Sequence, residues 1–503
     1  MKNSILKIQN IRLIAIIVFI CSFSACNFLE EEPLSNIMTE NYYQTEEDFV
    51  AATNALYDYL TVGTDYLWNP SFGGIFFNDF WVFQDLMSDN CISAIASQDY
   101  NSMSEFKHTA SNERFEYYWQ DLYKTINAAN VVIDRMVGVE FDELKQSQLL
   151  AEAHFIRAMM YFEVVKLFGD APLTLNETID IESSYIERSD KELIYESIID
   201  DLEFAYNNLS TTYRVGNGRP THQAVNALLA KIYLTHGDYS LAAEKAKDVI
   251  DSGEYSLWQD YANIFKIDNM NSGEIIFAAN FSGTLSQGFK PNQYHVRLLP
   301  NGLDKDGEGP ENAFGWELPT EELYNTFDPL DRRRDVTFIS SFTYSDGTTE
   351  TFEPHISKFW DQAAEPRGNS TDTDVIYLRY ADVLLMYAEA LNEVNNGPTA
   401  EAYDAINQVR QRARFNGTVE QNILPDLSGL SYEGFRDALL LERRLEFVME
   451  GQRYNDLVRF GKLVDRVTAS GKLNATPREF HNLLPIPQRE RNVNKKLTQN
   501  PGY

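Results

Sequence analysis

The segment ALLAKIYLTHGDYSLAAEKAKDVI, residues 227–250, constrains the fold more than any other stretch of the chain. Leu229 and Ala230 are followed at helical spacing by Tyr233, then Gly237, Tyr239 and Ala242. This is the tetratricopeptide pattern: small residues let two antiparallel helices approach, and the glycine supplies the turn between them. One such pair cannot bury its apolar face alone, so neighbouring pairs must complete it. A looser copy occupies Tyr380–Ala413, with YADVLLMYAEALNEV, a turn at Asn395–Pro398 and AEAYDAINQVRQRA. Further helical pairs are predicted at 115–168 and 433–463. About four pairs make the chain mainly α, a curved tetratricopeptide-like helical-pair scaffold.

The run QLLAEAHFIRAMMYFEVVKLF (148–168) is apolar on nearly every side, which predicts a helix buried between neighbours on both faces and ended by Gly169 and Pro172. Phe76, Phe80 and Phe83, with Phe77 and Trp81, also fall at helical spacing. Residues about 253–375 differ. Gly, Asn, Pro and Thr with short apolar runs such as EIIFAA predict a loop-rich α/β-irregular excursion with a few short strands. Loops on a rigid scaffold are the usual place for ligand contacts.

The chain begins with Lys2, Lys7 and Arg12, then the thirteen-residue apolar run Leu13–Ala25 and Cys26. A bilayer-spanning helix needs about 20 apolar residues, so this is the layout of a secretory signal, residues 1–25. Phe23-Ser24-Ala25-Cys26 resembles a bacterial lipobox. That resemblance implies cleavage before Cys26 and its acylation, hence a membrane anchor. The acidic Glu30–Glu32 that follow resemble the surface-export signal of Bacteroidetes lipoproteins. Without residues 1–25, the chain keeps 75 acidic residues against 40 basic ones. Such a surface repels phosphate backbones, so no nucleic-acid partner is predicted. Of Cys21, Cys26 and Cys91, only Cys91 remains a free thiol, so no internal disulfide forms and Cys91 reads as a small buried hydrophobe.

No catalytic constellation is legible. The seven histidines are scattered without H-E-x-x-H spacing, and there is no G-x-S-x-G, Walker or G-x-G-x-x-G motif. Asp304–Glu308 fails the EF-hand spacing, since the twelfth position is Gly315. Neither metal nor cofactor is predicted. The helix LERRLEFVMEGQRYNDLVRFG, rich in Glu and Arg at i, i+3 and i+4, reads as ion pairs bridging packed helices.

AEAHFIRAMMYFEVVKLFGDAPL, ALLAKIYLTHGDYSLAAEKAKDVIDSGEYSL, YLRYADVLLMYAEALNEV, LERRLEFVMEGQRYNDLVRFG and the ending LLPIPQRERNVNKKLTQNPGY stand in the order seen in the SusD/RagB family, and the chain resembles that family over nearly all of residues 26–503. The resemblance implies a single SusD-like domain with its N-terminal part at about 26–215, tetratricopeptide repeats within about 115–250 and 376–463, and a ligand region at about 253–375. It implies a lipid-anchored protein at the outer membrane, facing outward. Such a protein binds oligosaccharide or polysaccharide without catalysis and passes it to a SusC-like TonB-dependent transporter. The RagB branch keeps peptide or glycopeptide cargo open, and a surface glycoside hydrolase or a protein-binding scaffold are the remaining alternatives.

A sugar has apolar C–H faces and a rim of hydroxyls, so its site needs aromatic faces edged by amides or charged groups. Trp316 in NAFGWELPT and Tyr294 in KPNQYHVRLLP fall where the family carries stacking residues. The starch-binding founder has a tryptophan shortly after a Thr/Ser-Asp step. Here Ser88–Ser102 has only Tyr100, beside Gln98 and Asn101. Trp68 and Phe72 form a second aromatic loop.

Overall fold

The computed structural model describes residues 42–61, 74–211, 218–282, 292, 294–305, 307–310, 313–360 and 371–503. The signal segment, Cys26 and its glutamates, Trp68 and Phe72 lie outside the described residues. The chain divides into Met1–Gln44 and Thr45–Tyr503, and the elements below belong to the second unit. They are α1 (Glu46–Thr61), α2 (Phe80–Leu86), β1 (Cys91–Ser93), α3 (Gln98–Ser104), α4 (Glu113–Met136), α5 (Glu143–Phe168), α6 (Lys191–Asn208), α7 (His222–His236) and α8 (Tyr239–Ser252). Then come β2 (Ile275–Ala279), α9 (Tyr294–Leu298), β3 (Glu317–Pro319), α10 (Glu321–Thr326), α11 (Arg332–Thr337), β4 (Phe338–Thr343), β5 (Thr349–Ile356) and β6 (Val375–Arg379). The rest is helical: α12 (Tyr380–Asn395), α13 (Ala400–Arg414), α14 (Tyr432–Glu446), α15 (Arg453–Arg459), α16 (Leu463–Ala469) and α17 (Gln488–Val493).

The repeat forms as its spacing predicts. Thr221 caps α7 by accepting from the Ala224 N–H, and α7 ends at Gly237, whose φ of 102° is open to glycine at little cost. Ala230, Ala242 and Ala246 are fully buried. In the looser copy Asn396 takes the left-handed turn position and Thr399 caps α13. Helices pack in sequence: α5 against α4 and α6, α7 against α8, α8 against α12, and α12 against α13 and α14. Because Ala230 is fully buried where α7 meets its neighbours, Ala230→Leu is expected to cost about 1–3 kcal/mol through overpacking, read as a lower urea midpoint at unchanged slope.

Asp142 caps α5, which is buried almost continuously from Ala151 to Val165 and ends at Gly169. The Phe76–Phe83 stretch opens as a π-type turn over Ile75–Asp79 before α2, which widens the helix while keeping all five aromatic rings buried. Among the described residues, the excursion forms three two-stranded antiparallel pairs with β1 and β6: β1 with β3, β2 with β6, and β4 with β5. Cys91 is a buried free thiol with its Sγ 3.5 Å from Met449 Sδ.

The charged α14–α15 segment bridges packed helices, as its Glu and Arg content predicts. Arg459 to Asp456, at 2.9 Å, is a pair at i, i+3 spacing within it. Arg443 bridges Asp382 at 2.8 Å and Asp456 at 2.9 Å, and Arg459 reaches Glu389 at 2.7 Å. Arg453 grips both oxygens of Asp89 at 2.7 and 2.8 Å. Burial alone would raise the Asp89 carboxyl, but Arg453 and Arg444 outweigh it and hold the group down at about 2. Unfolded aspartate titrates near about 3.9. The folded value lies below it, so the pair's contribution is complete above that pH and is lost as pH falls through about 2. A declining denaturant midpoint over that interval, flattened in Asp89→Asn, is the expected record.

Candidate functional site

The pairing of β1 with β3 sets Ser93 opposite Glu317 and brings the 313–319 segment against α3 and its approach. Trp316 is fixed by its backbone on both sides. Its N–H donates to the Arg297 carbonyl at 2.8 Å, and its own carbonyl accepts from the Ala94 N–H at 2.7 Å. The indole is half-buried and stacks on Phe314, with centroids 4.6 Å apart and planes 20° from parallel. The Arg297 guanidinium lies 4.5 Å from the Trp316 centroid, within cation–π range.

Arg297 is the centre of this corner. It is buried, donates to Glu317 at 3.1 Å, and also lies 5.5 Å from the rings of Trp81 and Tyr100. Arg114, held by Asp79 at 2.8 Å, approaches Tyr100 to 5.6 Å from the other side of the sequence. Burial pushes the carboxyls of Glu317 and Asp79 up, and the paired arginines pull against that. The Trp81 Nε1, the Tyr294 Oη, the Glu317 Oε2 and the Ser93 Oγ are buried and make no hydrogen bond to the described protein. Groups of this kind are satisfied by ordered water or by ligand hydroxyls.

The structure places the sequence-predicted residues differently from one another. Trp316 and Tyr100 converge on Arg297, but Tyr100 is buried with Arg297 and Arg114 over its ring, so it supports the corner and presents no open face. Asn101 lines an adjoining cavity of about 600 Å³, with Ser93, Glu105, Asn325 and Lys472 also in its walls. Gln98 is exposed at the start of α3, the helix that also carries Tyr100 and Asn101. Tyr294 differs from expectation. It is 1% exposed, stacked on Phe359 at 3.8 Å and pressed against Trp81 at 4.1 Å, so neither face is open to a sugar. Trp68 lies outside the described residues.

Residues 333–503 match the sequence profile of the SusD family, and residues 27–234 match a profile described as starch-binding and associating with the outer membrane. The SusD-like protein P25 of Formosa agariphila is 30% identical over 99% of this chain and 100% of its own. The chain belongs to the SusD family. The starch-binding protein SusD of Bacteroides thetaiotaomicron is 26% identical over 83% of this chain and 84% of its own. A crystal structure of a SusD superfamily protein from Parabacteroides distasonis superposes with a TM-score of 0.77 at 25% identity, covering 93% of this chain and 100% of that one. The helical-pair scaffold with a loop-rich excursion is therefore the SusD fold. Among the described residues no helix is long and apolar enough to cross a membrane.

Sequence reasoning missed Arg297, Asn325 and Lys472. Arg297 lies three residues after Tyr294 in the same short helix, and a search for aromatic faces overlooks the cation beneath them. Lys472 reaches the cavity from the far end of the chain, which no local spacing encodes.

Proposed function

We propose that this SusD-family chain captures neutral oligosaccharide outside the cell and passes it to a SusC-like TonB-dependent transporter, tethered to the outer membrane by an acylated Cys26. The observation that carries the reading is the half-buried Trp316, backed by Phe314 and Arg297 beside Tyr100. The exposed edge of this indole, held rigid between Phe314 and Arg297, gives a pyranose apolar contact at little entropic cost. Asn101 and Gln98 supply amides for the hydroxyl rim, and Tyr294 contributes from below as packing. Kinship to a starch-binding protein supports a glycan over a peptide. Kinship to that binding protein also supports binding without catalysis, as does the burial of the two carboxylates packed on Arg297 and Arg114. Glu317 is fully buried on Arg297 and Asp79 is buried on Arg114, so neither faces an exposed sugar as an acid or base.

The transporter handover is tested in the native cell. Affinity-tagged chain solubilised from outer membranes is expected to co-elute with a TonB-dependent transporter. Cys26→Ser is expected to release the chain from the membrane. A tagged chain that elutes alone from intact outer membranes contradicts the handover.

A further inference from the structure

A second aromatic cavity lies elsewhere in the fold and shares no residue with the Trp316 corner or the Asn101 cavity. It has a volume of about 470 Å³ and is walled by the 256–259 loop, Tyr380 at the start of α12, and the end of α13 with the turn after it. We propose that this cavity is a second saccharide site, taking one neutral pyranose unit; that its ligand is a glycan rests on the function proposed above.

Its lining has the composition that a pyranose requires. Trp258, Tyr380 and Phe415 give aromatic surface, and Gln259, Gln408 and Gln411 stand exposed at the rim. Amides both donate and accept, as sugar hydroxyls do. The Gln259 side chain makes no hydrogen bond among the described residues. Gln411 donates to Asp426 at 3.3 Å and Gln408 to the Asp404 carbonyl at 3.3 Å, which leaves their carbonyl oxygens as acceptors. Two buried donors in the wall, Trp258 Nε1 and Arg412 Nε, also find no acceptor in the described protein. Arg412 is 6% exposed, so this is an interior donor and not a surface one.

The walls are built around one carboxylate. Glu274 is fully buried. Its carboxylate accepts from the Trp258 backbone N–H at 3.1 Å and from Arg412 Nη1 at 3.2 Å, and its carbonyl accepts from the Tyr380 N–H at 2.8 Å. One residue thus fixes Trp258, Tyr380 and Arg412 relative to each other. Behind the indole the backbone comes so close at Gly273 that a Cβ there would collide with Trp258 Nε1, so the ring is seated from the rear as well. Preorganised walls reduce the ordering cost of binding.

Charge selects a neutral sugar. The Arg412 guanidinium is already neutralised by Glu274 and Glu446, and the other charged lining residue is the acidic Glu420. An anionic sugar would meet no available cation.

The test labels the six tryptophans of the full chain with 5-fluorotryptophan and follows their fluorine resonances, assigned by single Trp→Phe variants. The probes are the methyl glycosides of glucose, galactose and mannose at millimolar concentration, with glucuronate as the anionic comparison. A saturable shift of the Trp258 resonance with a neutral glycoside and none with glucuronate is expected. Gln411→Ala and Gln259→Ala, both exposed, are expected to weaken that shift several-fold while the chain stays folded. A Trp258 resonance unmoved by every neutral glycoside overturns the second site, and a shift of Trp316 alone does so while leaving the function proposed above standing. A Trp258 shift unaffected by both glutamine variants also overturns it.

Discussion

Glu446→Gln is expected to lose about 3–5 kcal/mol of stability, the range found when one partner of a buried ion pair is removed. Glu446 is fully buried. Its carboxylate accepts from Arg379 at 2.6 Å, from Arg333 at 3.3 Å and from Arg412. Burial would raise this carboxyl, but Arg412, Arg379 and Arg333 outweigh it and hold the group far below the ordinary range. Glutamine keeps the shape and removes the charge, leaving three buried guanidinia undercompensated. Equilibrium unfolding in urea reads the loss directly. A loss below about 1 kcal/mol, the level of an exposed pair, would show that Glu274, Glu442 and Glu450 hold the arginines without it.

Trp316→Ala is expected to weaken glycan binding about ten- to a hundredfold, about 1.4–2.8 kcal/mol. The ring is half-buried, and its backbone is anchored independently of the indole, so the variant keeps its fold. Trp316→Phe retains an aromatic ring and is expected to recover part of the affinity. Tyr294→Ala gives a less clean result. Removing a buried ring costs about 3–5 kcal/mol of stability, so lost binding there would report unfolding. Unchanged affinity in Trp316→Ala would move the site away from this corner.

The helical scaffold was legible because its signals are local. The apolar surround of α5 foretold burial on both sides, and Gly237 with its flanking alanines foretold the α7–α8 turn. The site was legible only in part. Trp316 and Tyr100 could be chosen as aromatic residues in polar surroundings. Whether a ring lies over a guanidinium or inside a core depends on what packs against it from a distance. Tyr294 is the instructive case, because Phe359 closes its face from 65 residues further along the chain. The α3 helix was unreadable for another reason: QDYNSMS has no apolar period and folds as a helix between β1 and α4 through tertiary contact. The arginines of α14 and α15 were legible as bridges between packed elements, but not their partners. Arg453 and Arg444 reach Asp89 from the other end of the chain, which no local spacing encodes.

The central claim is that the Trp316 corner holds a neutral glycan. Isothermal titration of the full chain against a panel of neutral oligosaccharides, with peptides alongside, tests it most directly. Saturable binding of at least one oligosaccharide, lost in Trp316→Ala and absent for every peptide, is the predicted result. Peptide binding with no response to any oligosaccharide would contradict it.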